Sequence, residues 1–118
     1  MGRVELARVY DQVGQEPSGR FLVDRLWPRG LAKSMAPFEF WAKDVSPSND
    51  LRKWYAHAEG RFEEFADRYR RELALPPGQA ALDDLRGRIA GRDVVLLTAT
   101  KVLAYSHLPV LAEVLADG

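Results

Sequence analysis

A chain of 118 residues, 47% hydrophobic and 29% charged, is long enough for one core and too short for two. Seventeen Lys and Arg face seventeen Asp and Glu, and the formal net charge of +0 excludes the basic footprint of a general nucleic-acid or anionic-membrane binder. The absence of cysteine excludes thiol nucleophiles, disulfides and thiolate zinc sites, and the composition excludes a disordered tail and a collagen-like repeat.

Val4 to Tyr10 alternates as a strand, with Val4, Leu6, Arg8 and Tyr10 on one face and Glu5, Ala7 and Val9 on the other. Asp11 to Gly19, with its Gly, Pro and Ser, reads as a loop. Arg20 to Trp27 carries β-favouring residues and predicts a second strand. It stops at Pro28-Arg29-Gly30, where the proline ring holds Trp27 extended and Gly30 permits a positive-φ turn.

The middle of the chain predicts helices. Ser48, Asn49 or Asp50 caps one that turns Leu51, Trp54 and Tyr55 inward. A second runs from about Gly60 to Leu73 on the stripe Phe62, Phe65, Tyr69 and Leu73, its outer face supported by Glu64–Arg68 and Asp67–Arg71 pairs. Pro76-Pro77-Gly78 separates it from a third with Leu82, Leu85 and Ile89 inward, closed by Gly91. The unbroken apolar run Val94-Val95-Leu96-Leu97 within Asp93 to Thr100 predicts a strand buried on both faces. A last helix, from about Ser106 to Ala116, has Ser106 as cap, Pro109 in its first turn and Leu108, Leu111 and Leu115 as its stripe. Strands separated by helices predict an α/β fold: a single compact domain over residues 1–118, with a small, mostly parallel sheet flanked by helices.

The segment Asp24-Arg25-Leu26-Trp27-Pro28-Arg29-Gly30 carries the most chemistry. It places two guanidinium groups and a carboxylate where a strand ends beside a tight turn, and ligands of α/β sheets bind at carboxyl strand ends. Arginine's planar fork suits a carboxylate or phosphate. Arg25 and Arg29 are therefore the candidates for holding a small anionic, nucleotide-like ligand, helped by Lys43, Arg52 and Lys101. Asp24 would orient an arginine or act as acid or base, and Trp27 or Trp41 would wall the pocket. The competing class is a non-catalytic structural or protein-interaction module, in which the same residues form a buried network.

Other constellations are weaker. His57 is a second catalytic candidate, against a structural role on a helix, and His107 is expected to be a capping or surface group. His57, His107 and a carboxylate offer no ligand-spaced pair, so no metal is expected, and no cofactor is implied. Ser46 and Ser48 lack a nucleophile elbow, and Gly14 and Gly19 are too far apart to cradle a phosphate. Arg68, Arg70 and Arg71 interleave with Glu63, Glu64, Asp67 and Glu72, which is a solvated face, so no specific DNA binding is expected. The N-terminal Met-Gly-Arg-Val-Glu-Leu has no apolar core of a secretory signal, and Val94 to Leu97 is far short of the ~20 residues of a membrane span. A cytoplasmic protein without membrane contact is the expectation, with monomer and homodimer both open.

Several strings occur in a familiar order: Arg8-Val9-Tyr10-Asp11, Asp24 to Gly30, Trp41-Ala42-Lys43, Ser46-Pro47-Ser48, Leu51-Arg52-Lys53-Trp54, His57, Phe65, Tyr69, Glu72-Leu73 and Val94 to Thr98. Together they resemble the YeaO-like branch of a bacterial family known as domain of unknown function 488, over nearly the whole chain. The resemblance implies a compact α/β fold and no particular reaction. It also implies a Tyr after the last strand, then a small-residue pair, a basic residue, an Asp, and an Asn-His or Asn-Gln pair. Here Thr98, Val102 and Ser106 stand at the Tyr, Asp and Asn positions, while Lys101 and His107 remain.

Overall fold

The computed structural model describes residues 2–11 and 18–117. Four strands, β1 (Val4–Arg8), β2 (Arg20–Leu22), β3 (Phe40–Trp41) and β4 (Val94–Thr98), form one sheet in the order β1-β4-β2-β3. All three pairings are parallel: Val4–Arg8 against Val94–Thr98, Arg20–Leu22 against Val95–Leu97, and Phe21–Leu22 against Phe40–Trp41. All carboxyl strand ends therefore lie along one rim. The helices are α1 (Asn49–Tyr55), α2 (Phe62–Ala74), α3 (Pro76–Ile89) and α4 (Leu108–Asp117).

Every one of these helices packs on the same sheet face. Phe21, Val23, Val94 and Leu96 enter one core with Leu51 and Tyr55 of α1, Phe65, Tyr69 and Leu73 of α2, Leu82 and Leu85 of α3, and Leu108 and Leu111 of α4. The intervening residues Ala7, Val9, Leu22 and Leu97 point the other way, into a second cluster with Trp27, Leu31, Phe38 and Trp41. The unbroken run at residues 94–97 thus feeds two cores, as a strand covered on both faces must.

Helix boundaries follow from local chemistry. The Ser48 hydroxyl caps α1 by accepting the Leu51 N–H at 3.1 Å, and the Glu72 carboxylate of α2 accepts both the Ser48 N–H (2.9 Å) and its hydroxyl (2.5 Å). At the α2–α3 corner, Gly78 comes so close to its neighbour that a Cβ would lie 2.3 Å from the Glu72 carbonyl oxygen, so only glycine fits.

Several boundaries differ from the sequence reading. β1 ends at Arg8, because the chain turns where the Asp11 N–H reaches the Arg8 carbonyl (3.0 Å). β2 ends at Leu22, because Asp24 turns its carboxylate to the end of β4 and leaves the ladder. β3 has only two residues, below the length at which alternation is readable. α2 starts at Phe62 after a 3-10 turn at Glu59–Arg61. The loop expected over Asp11–Gly19, including Gly14, falls largely on residues 12–17, outside the described residues. No helix among the described residues is long and apolar enough to cross a membrane.

Candidate functional site

The Asp24–Gly30 segment leaves β2 at the rim, and three of its side chains bond back into the fold. Asp24 Oδ1 accepts the Thr98 hydroxyl at 2.6 Å, and Oδ2 accepts the Ala99 N–H at 2.7 Å, which clasps the exit of β2 to the exit of β4. The Trp41 indole N–H donates to the Asp24 carbonyl (2.6 Å), which adds β3. Arg25 donates to the Ser46 carbonyl (2.6 Å) and the Pro47 carbonyl (3.3 Å), at the approach to α1. The Trp27 indole donates to the Leu31 carbonyl (2.6 Å) and its ring meets Phe38 and Trp41 edge-on, both at 5.4 Å. Gly30 adopts φ 80°, as the turn requires, and the Leu31 N–H reaches the Pro28 carbonyl at 3.3 Å.

His107 is a correction to the sequence reading. It is buried, 8% exposed, and not a surface group, although it stands at the start of α4, where its carbonyl accepts the Leu111 N–H at 3.0 Å. Its Nε2 faces the Val23 carbonyl, which can only accept, so that nitrogen carries the proton, and it lies 3.5 Å from Asp24 Oδ1. Burial pushes the imidazole below its ordinary range, against the attraction of Asp24; burial likewise raises Asp24, against His107 and the hydrogen bonds from Thr98 and Ala99. A neutral imidazole at neutral pH follows. Ser106, expected as the cap of α4, does accept the Leu108 N–H (3.2 Å) while donating to the Leu103 carbonyl (2.7 Å).

The remaining candidates scatter. Arg29 is exposed on its turn, and its carbonyl accepts the Tyr10 hydroxyl at 2.9 Å. Arg52 is exposed on α1, with its guanidinium 3.3 Å from the Asn49 side-chain oxygen and its charge acting on Asp24. Lys43 lies 5.4 Å over the Trp41 ring, and Lys101 is exposed in the segment after β4. Arg25 and Lys43 share a groove of about 610 Å³ with Trp41, Ser46, Glu72 and Leu85, and Arg29, Arg52 and Lys101 do not line it. His57 is a second correction. It is exposed beyond the end of α1, not on a helix, and it follows Ala56 into the left-handed region (φ 46° and 59°). No group of three or more His, Asp or Glu among the described residues is placed to hold a metal.

Sequence reasoning missed Thr98, Thr100 and His107 as members of the Asp24 cluster. The Thr98 hydroxyl also lies 3.0 Å from that of Thr100, so the cluster extends along the loop after β4. The available signal was positional: a Thr ending a buried apolar strand stands beside whatever ends the neighbouring one.

The model of a family described as the inactive DUF488-N3 subclade matches residues 3–118. Uncharacterised proteins of Mycobacterium tuberculosis (strain H37Rv) and Mycobacterium bovis are each 47% identical over 114 residues, 96% of this chain and 93% of theirs. The uncharacterised protein YeaO of Escherichia coli K12 is 34% identical over 111 residues, 93% of this chain and 94% of its own. No solved structure matches the chain.

Proposed function

This chain belongs to the inactive DUF488-N3 subclade, and from that premise we propose that it is a non-catalytic binding module. The observation that carries the reading is the state of the Asp24–His107 pair. Both Asp24 oxygens already accept fold-internal hydrogen bonds, and the His107 Nε2 proton is directed at the Val23 carbonyl. A general base needs a lone pair within reach of a substrate proton, and at Nε2 this imidazole offers a proton instead. Val102, standing where the resembled pattern has an Asp, is consistent with a rim that has lost an acid.

The test is a turnover screen of the intact chain against phosphate, carboxylate and glycosyl esters, with Asp24→Asn and His107→Gln as comparators. Any reaction that the parent performs and either folded variant loses would overturn the non-catalytic reading. Capture of a small anion at the Asp24–Gly30 turn is a second reading, favoured by Arg29. Its guanidinium stands on a rigid turn and makes no hydrogen bond or ion pair among the described residues. A phosphate or carboxylate at 100 times its dissociation constant would add ~2.7 kcal/mol of apparent stability, weakening with salt and vanishing in Arg29→Ala. A thermal-shift screen of phosphates, nucleotides and small carboxylates with no stabiliser removes this second reading.

A further inference from the structure

Seven large hydrophobic side chains are exposed among the described residues, and four of them, Tyr10, Leu26, Val102 and Tyr105, belong to the loops leaving β1, β2 and β4 at the rim. Cross-loop hydrogen bonds hold these loops side by side. Arg8 Nε donates to the Thr100 carbonyl (3.1 Å), the Tyr10 hydroxyl to the Arg29 carbonyl (2.9 Å), and the Ala99 N–H to Asp24 (2.7 Å). In a chain of zero net charge, residues 8–11, 24–30 and 98–105 carry four cations (Arg8, Arg25, Arg29, Lys101) against two acids (Asp11, Asp24). Asp24, Arg8 and Arg25 are spent in hydrogen bonds within the fold, whereas Arg29 and Lys101 face solvent.

We propose, building on the non-catalytic reading above, that this rim docks an acidic segment of another protein that carries apolar anchor side chains. Exposed Leu26 (57%) and Val102 (47%) are the counterparts of the anchors, and Arg29 and Lys101 those of the acids. Apolar contacts at the centre with charges around them are how interfaces divide affinity from selectivity. Because the loops are already stapled, little conformational freedom is lost on binding. A second copy of this chain is disfavoured as occupant, since two-fold pairing would set the cation excess against itself. Nucleic acid is disfavoured too, since an excess of two cations neutralises few phosphates.

Selection of a random 12-residue peptide display library on the immobilised full chain tests this. Enriched peptides should combine Asp or Glu with Leu, Ile, Phe or Trp. A synthetic copy of one should lose about tenfold in affinity with Leu26→Ser and with Lys101→Glu, each a surface change that leaves the fold intact. Its affinity should fall with salt and be unaffected by Val4→Ser, at an exposed side chain (38%) on the amino end of β1, opposite the rim. Should Leu26→Ser melt early, Lys101→Glu decides alone. The proposal is overturned by no enrichment, or by peptides sensitive to Val4→Ser and not to the rim variants. It is equally overturned by self-association that Leu26→Ser abolishes, or by binding to phosphatidylserine vesicles in place of peptides. A failed selection leaves the non-catalytic reading intact, because only a turnover lost in Asp24→Asn or His107→Gln removes that.

Discussion

The two faces of the sheet are covered by different means. On the helical face, Phe21, Val23, Val94 and Leu96 meet apolar stripes of four helices, and Phe65 stacks on Tyr55 (4.1 Å) and Tyr69 (6.1 Å) between ring centroids. Most backbone polar groups there are satisfied inside the helices, and the Tyr55 and Tyr69 hydroxyls reach the carbonyls of Tyr105 and Val45. On the opposite face, Ala7, Val9, Leu22 and Leu97 lie under residues 27–41, which hold no α-helix and only a two-residue strand. Irregular backbone over a core must have its carbonyls satisfied one at a time. Trp27 does this for the Leu31 carbonyl, and at the rim Trp41, Arg25 and His107 do it for the carbonyls of Asp24, of Ser46 and Pro47, and of Val23. The helical face is held mostly by area, whereas the loop face and the rim lean more on individual hydrogen bonds.

The comparison predicts unequal responses to substitution. Phe65→Ala on the helical face, at a side chain only 2% exposed, should cost about 3–5 kcal/mol, because it opens a cavity between stacked rings. Urea denaturation measures this, and a loss below about 1 kcal/mol would mean that packing is not what holds that face. At the rim, Asp24→Ala should cost about 1.5–3 kcal/mol by orphaning the Thr98 hydroxyl and the Ala99 N–H. Asp24→Asn keeps an acceptor and should cost less. Equal losses for the two variants would show that charge, not the hydrogen-bonding pattern, is what the clasp requires.

The same division explains what the sequence revealed. Helix positions and inward stripes were readable because Phe62, Phe65, Tyr69 and Leu73, or Leu82 and Leu85, repeat with the helical period. The two-sided burial of β4 was readable from its unbroken apolar run. The loop face has no period. The Asp24–Gly30 string stood out as chemistry, but residue types alone do not say whether an arginine fork meets a ligand or the Ser46 and Pro47 carbonyls. His107 was misjudged for a related reason. Its partners, Val23 and Asp24, are 84 and 83 residues away in the chain, and only the β2–β4 pairing brings them together.

A smaller, pH-dependent effect concerns the rim, where Asp24 and His107 form a buried titrating pair. His107 sits below its ordinary range, so on acidification the unfolded chain takes up a proton that the folded one refuses. Stability should therefore fall as pH drops through about 6.5, by at most ~1.4 kcal/mol per pH unit. Asp24 works in the opposite sense. Its raised value lets the folded state take the proton first, which partly offsets the loss. His107→Gln should flatten the acid limb of a plot of melting temperature against pH, and Asp24→Asn should steepen it. A flattening in both would assign the slope to groups outside the clasp.

The smallest expected effect separates the two arginines of one string. Arg29 is exposed, and among the described residues its guanidinium contacts nothing that folding must satisfy; only its carbonyl is used, by Tyr10. Truncation to Ala keeps that carbonyl and the Gly30 turn, so Arg29→Ala should change stability by no more than about 0.5 kcal/mol. Arg25→Ala would leave the carbonyls of buried Ser46 and Pro47 without their donor, at about 1–3 kcal/mol. Denaturant midpoints of the two variants, measured side by side, check this. A loss of more than about 1 kcal/mol for Arg29→Ala would place its side chain inside the clasp with Arg25. That result would remove it from the surface left for a partner, because a side chain on which folding depends is not free to be spent on binding.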